Sequence, residues 1–247
     1  RDDTKHPLGI VGARYQPISN RESFSVFDTA LGEGHGQIDT IGALGEGERV
    51  WCLAKLPDTF EPVQGDPVDR YLLCCTSHDG SKSMEMMFTS IRVVCNNTLT
   101  AAIKGTKEKV SIRHTSRWED RLRLAHLVLN QSNRYWEQLK MVCQVLASES
   151  VGRVETGSFL DAMFPVLDAE SSQVEQAGRN QVLRLIEEGK GSDIQGVRGT
   201  KWGLFNAYTE YLDHEKPLRS RHDRWARSTF GSGSQQRNKA LAALLVK

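Results

Sequence analysis

The sequence predicts an α+β protein: an antiparallel β-meander of two hairpins backed by a helix, followed by a mostly helical C-terminal half. Three observations carry this. Residues 37–91 hold four apolar runs, with turn sequences GEGE and HDGS between the members of each pair. From residue 118 onward the apolar positions recur at helical spacing instead. Strands come first and helices later, which argues for α+β rather than alternating βαβ units.

The elements follow in order. LGIVGARYQPIS alternates after a glycine and reads as extended chain. Ser19 and Glu22 have capping-box spacing, and Phe24, Phe27, Ala30 and Leu31 form one apolar face of the helix behind them. QIDTIGAL and RVWCLAKL make the first hairpin. VDRYLLCCTS and SMEMMFTSI make the second, where Asp79-Gly80 is a favoured turn pair. VVCNNTLTAAI reads as the start of a helix lying on the sheet, with Asn96 and Asn97 capping it or holding a ligand. KVSI is a short strand. A long helix spans about residues 118–148, with a possible break at 130–133, and further helices cover about 171–188 and the end of the chain from about 235. The division expected is a β-rich core domain at 1–115 and a helical region at 116–247 packed on it or extending from it, or one continuous domain.

Bulk composition bounds the class. The 247 residues are 38% hydrophobic and 26% charged, ordinary for a soluble globular protein. No apolar run approaches the roughly 18–20 residues of a membrane helix, so a cytoplasmic location is expected. The chain starts at Arg1 and not at Met, which predicts a fragment or a longer protein. The five cysteines form no CxxC pair and read as buried free thiols of a reducing compartment, not as zinc ligands.

Catalytic motifs are scarce. ALGEGERV and GKGSDIQGVRGTKWG are glycine-rich, but neither has the spacing of a phosphate loop or dinucleotide fingerprint. The first is a hairpin turn; the second reads as a connector, with a phosphate contact left open. No cofactor and no metal are expected. The histidines show no HExxH. His78 is a turn residue, and Asp213-His214 reads either as an acid/base pair or as a helix C-terminal histidine favoured by the dipole. A non-enzymatic protein is the expectation.

Charge carries the best functional signal. The net charge is +1, yet residues 1–70 hold 7 Lys/Arg against 12 Asp/Glu, so the excess of positive charge lies in the later chain. Residues 104–123 carry seven Lys/Arg against three acids, and residues 216–239 carry seven against one, interleaved with Trp225 and Phe230. Basic side chains track phosphates and rings stack bases, which is the composition of a single-strand groove. The candidate nucleic-acid-binding residues are Lys104, Lys107, Lys109, Arg113, Arg117, Lys201, Arg219, Arg221, Arg224, Trp225, Arg227 and Phe230. The competing reading is solvated surface with Trp225 packed inward.

The stretches PLGIVGARYQPISNRESFSVFDTALGEG, YLLCCTSHDGS, IRVVCNNTL, IRHT and GTKWGLFNAYTEYLDH resemble the phage/plasmid-like protein family, a domain of unknown function carried on phages, prophages and plasmids. The resemblance runs from Pro7 to near the C-terminus and brings no established reaction. Its mobile-element setting is similar to that of phage single-strand annealing proteins, and it implies a homo-oligomer, ring or filament, that binds single-stranded DNA in recombination, in the cytoplasm of a bacterial host. The alternative is a phage-encoded interaction protein that binds a host protein in takeover or anti-defence.

Overall fold

A computed structural model of the chain describes residues 1–30, 36–94, 97–98, 109–165, 169–217 and 232–245. The fold is α+β. Helix α1 (Asn20–Ala30) precedes a six-stranded sheet of β1 (Gln37–Leu44), β2 (Arg49–Phe60), β3 (Val68–Ser77), β4 (Met84–Arg92), β5 (Asn97–Thr98) and β6 (Lys109–Ile112). Helices α2 (Trp118–Ser148), α3 (Arg153–Met163), α4 (Ala169–Glu188), α5 (Lys201–Glu210) and α6 (Ser232–Leu245) follow, so the second half is mostly helical.

The sheet is an antiparallel meander in the order β1-β2-β3-β4-β5. Both expected hairpins are present. Their turns use Gly45 (φ +64°) and Gly47 (φ +106°) in one and Gly80 (φ +74°) in the other, a backbone region that favours glycine. The edge of β4 away from β3 is shared by two short strands: β6 pairs with residues 84–87 and β5 with Ile91 and Arg92. β2 buries alternate residues, Val50, Cys52, Ala54 and Leu56, as a strand with one core face should. β3 lies in the middle of the order and is buried along its whole length.

One expectation is corrected. Asn97 does not cap a helix; it lies in β5, opposite Arg92. The backbone N–H and C=O at the edge of β4 demand partners, and a short strand supplies them where a capped helix would not. Asn96 lies outside the described residues. Helix α2 runs unbroken through 130–133.

By internal contacts the chain forms two compact units with interleaved segments: Arg1–Asp58, Arg70–Thr89 and Ile103–Glu137 in one, and Thr59–Asp69, Ser90–Ala102 and Gln138–Lys247 in the other. Residue 115, where the change in composition falls, lies inside the first.

In the first unit, the capping box of α1 is formed. Ser19 N donates to Glu22 Oε2 at 2.7 Å and Glu22 N donates to Ser19 Oγ at 3.2 Å. Cys74 Sγ of β3 reaches Ser23 O of α1 at 3.5 Å, so α1 is a helix that backs the sheet. Arg70 ties β3 to α2. Its guanidinium donates to Asp58 Oδ2 at 2.6 Å and to Asn133 Oδ1 at 3.0 Å, and lies over the rings of Phe88 and Trp136. The extended N-terminal segment is pinned where Tyr15 stacks on His114, with centroids 4.6 Å apart, and donates to Ser77 O at 2.9 Å.

In the second unit, α5 is the central helix, buried at Trp202 and from Leu204 to Glu210. It packs against α4 and α6. Gly203 lets it approach the carbonyl of Val197, which a Cβ would meet at 2.3 Å. A π-helical turn, Tyr211–Glu215, continues α5, and its Asp213 forms a buried 2.7 Å ion pair with Arg237 of α6. Phe159, Phe164, Tyr208 and Tyr211 meet edge to face. Asp66 is fully buried. Its Oδ1 accepts from Arg92 Nε at 2.6 Å and its Oδ2 from Trp202 Nε1 at 2.7 Å.

Removing Asp66 strands a buried guanidinium. Asp66→Ala should therefore lower unfolding free energy by about 3–5 kcal/mol, and Trp202→Phe by a smaller amount, about 1–3 kcal/mol for the unsatisfied acceptor. Urea titration of both variants checks the order. His114 is also buried, with Nε2 3.3 Å from Thr76 Oγ1 and Nδ1 without a hydrogen-bond partner. Burial holds its pKa below the ordinary value. The unfolded chain then takes up the proton first, near pH 6.5. The stability contribution is complete above that pH and is lost as pH falls through the lower folded value. The urea midpoint should drop between pH 7.5 and 5, and the drop should shrink in His114→Phe.

Candidate nucleic-acid interface

The second unit contains a cleft of about 530 Å³ at the start of two helices. The two N-termini are brought together by a short bridge between Ser150 and Thr200. Val151 N donates to Gly199 O and Lys201 N to Glu149 O, each at 2.9 Å. Helix α3 begins at the extended residue Gly152, and α5 begins at Thr200, whose Oγ1 accepts from Gly203 N at 3.2 Å. Gly199 (φ +77°) makes the turn into that cap. Both helices thus present the positive end of their dipole to one cleft.

Three arginines line it: Arg153 from α3, Arg179 from α4 and Arg198 from the glycine-rich loop. Leu160, Leu183, Ile186 and Leu204 supply an apolar wall. Arg179 pairs with Asp161, and Arg198 donates to Glu187 O at 2.6 Å with its Nε 3.5 Å from the Glu187 carboxylate. These pairs are solvent-exposed and worth little, of order 0–1 kcal/mol each, so a polyanion can compete for them. A cationic rim over an apolar wall suits a phosphodiester with a base attached. A larger pocket of about 730 Å³ in the first unit is lined by Asp2, Asp3 and Glu22 against Arg1, with His6 and His78, so its acids outnumber its arginine and it suits phosphate less well.

The residues named from sequence are dispersed. Lys104, Lys107, Arg219, Arg221, Arg224, Trp225, Arg227 and Phe230 lie outside the described residues. Lys109 begins β6, and Arg113 and Arg117 are exposed between β6 and α2 in the first unit. Lys201 opens α5 and is bound to Glu149 at 2.5 Å. Of the glycine-rich stretch GKGSDIQGVRGTKWG, Arg198, Gly199, Thr200 and Gly203 line the cleft. Arg153 and Arg179 were not singled out by any motif; they are isolated cations on amphipathic helices, and only the packing of α3 and α4 aligns them. The acid/base reading of Asp213-His214 loses its acid, since the Asp213 carboxylate is buried against Arg237.

Among the described residues no cluster of His, Cys, Asp or Glu is arranged to hold a metal. Cys52, Cys74, Cys75 and Cys143 are buried thiols. Burial pushes the Cys52 thiol up to about 11 and raises Cys74 and Cys143 as well. Thiolate is the reactive form, so these four should resist a maleimide at pH 7 in the native protein and label fully in urea; mass spectrometry reads the difference.

No curated protein and no solved structure matches the chain. A family model does, over residues 7–242, nearly the whole length of the chain with both compact units included: the chain belongs to the family Domain of unknown function (DUF932).

Proposed function

We propose that this protein binds single-stranded DNA and anneals complementary strands in the recombination of a phage or other mobile element, without a catalytic step and as a homo-oligomer. The observation that carries the reading is the cleft at the start of α3 and α5. Two helix dipoles and three arginines meet there beside an apolar wall, a combination that favours phosphate and base together. The excess of Lys/Arg after residue 70 supports it, because phosphate binding draws on summed charge as well as on single contacts.

Gly157 gives a test that spares the fold. It lies within α3 and lines the cleft, and a Cβ there meets nothing within 4 Å. Any side chain at this position enters open space and raises helix propensity. Gly157→Glu should weaken binding of a labelled oligonucleotide, measured by fluorescence anisotropy, and Gly157→Lys should strengthen it. Arg153→Ala should flatten the log–log salt dependence by roughly 0.7 if it neutralises one phosphate. Replacing Arg219, Arg221, Arg224 and Arg227 together with Ala should flatten it further, while Trp225→Ala should cost about 1–3 kcal/mol with little change in slope. Absence of binding by the unaltered protein at low salt would overturn the proposal and turn attention to a host-protein partner.

A further inference from the structure

We propose that β1 is a dimer interface, at which two copies of this chain pair their β1 strands antiparallel across a twofold axis. Among the described residues β1 pairs on one side only, with β2. No residue of β1 is buried. Its eight residues, at about 3.4 Å each, present roughly 27 Å of open backbone. Sheet edges are usually protected by Lys, Pro, inward charges or a bulge that turns the edge away, and of these β1 carries only a bulge. QIDTIGAL has neither Lys nor Pro, and Asp39 is its one charge.

Asp39 is the extra residue of a bulge. The ladder passes from Ile38↔Ala54 directly to Thr40↔Leu53. In a regular strand Ile38 and Ile41, three positions apart, would face opposite sides of the sheet. With the bulge they stand opposite Ala54 and Cys52, two positions apart on β2, so both project from one face. On that face Ala54 and Cys52 are fully buried, yet Ile38 is 48% and Ile41 59% exposed. A strand added at the open edge would cover both isoleucines.

The occupant is a second copy because β1 complements itself. In the register that sets residue 39 opposite residue 40, Ile38 of each copy meets Ile41 of the other and Gln37 meets Gly42. The two Asp39 carboxylates are not opposed. Each faces a Thr40 hydroxyl, a group from which Asp39 already accepts at 2.7 Å within its own chain. The two bulges coincide at the axis, so the ladders on either side of it stay in phase. Such a contact is closed; a ring or filament would need a second contact elsewhere.

The experiment uses the full chain without nucleic acid, so its failure removes this contact and bears on self-association, while DNA binding is judged by the separate oligonucleotide measurement. Light scattering should give a dimer or an even multiple of it. Ile41→Lys should halve the mass with unchanged circular dichroism. Mixing separately purified Ile38→Cys and Ile41→Cys proteins under mild oxidation should yield a disulfide-linked dimer that neither yields alone, because opposed Cα atoms lie about 4.5–5.5 Å apart. The cysteine pair decides the matter even if the lysine variant unfolds. A monomeric native protein, or equal crosslinking of the variants alone and mixed, would overturn the proposal.

Discussion

Asp66 is fully buried, and both of its carboxylate oxygens are committed, one to a guanidinium and one to an indole. Moving an ion of this size out of water costs several kcal/mol unless its surroundings are arranged for it. Much of the second unit is that arrangement. Arg92 must stand at the end of β4, and its other N–H groups donate to Lys190 O at 2.9 Å and Gly191 O at 3.2 Å. The loop after α4 must therefore turn at Gly191, where φ is +73° and a Cβ would lie 2.6 Å from the guanidinium. Trp202 is the second residue of α5, so the same carboxylate sets where that helix begins.

That placement connects the core to the cleft. The cap at Thr200 precedes Trp202 by two residues, and the N–H groups of the first turn of α5 are aimed by the helix axis that Trp202 holds. The glycine-rich loop is accordingly a shaped element. Gly191 accommodates Arg92, Gly196 and Gly199 adopt positive φ, and Val197 is buried under α5. Separating the partners of such a pair leaves an uncompensated buried charge, so packings that part Asp66 from Arg92 are disfavoured.

Local chemistry was legible in the sequence, and long-range chemistry was not. The Ser19/Glu22 box, the Asp79-Gly80 turn and the change of apolar period each depend on residues a few positions apart, and each appears in the fold. Asn97 misled because an Asn before a helix and an Asn in an edge strand look alike without the partner strand. Arg92 and Asp66 gave a faint signal, a charge within TSIRVV and an Asp between Gly and Pro, but nothing in either stretch points to its partner. The arginines of the cleft come from three elements and share no motif. The bulge at Asp39 left no sign at all, since it is a property of the pairing with β2 and not of QIDTIGAL.

The span between Asp66 and Trp202 also has a meaning in time. The two residues are 136 positions apart. At a synthesis rate of about 5–20 residues per second, roughly 7 to 27 seconds separate their appearance on the ribosome. All segments of the first unit have been made by Glu137, before Trp202 exists. During the interval Asp66 lacks the indole that takes its second oxygen, and the segments Thr59–Asp69 and Ser90–Ala102 lack the later helices of their own unit. The nascent chain thus lacks one of the two donors to the Asp66 carboxylate through much of its synthesis, and the packing around that carboxylate can be completed only late.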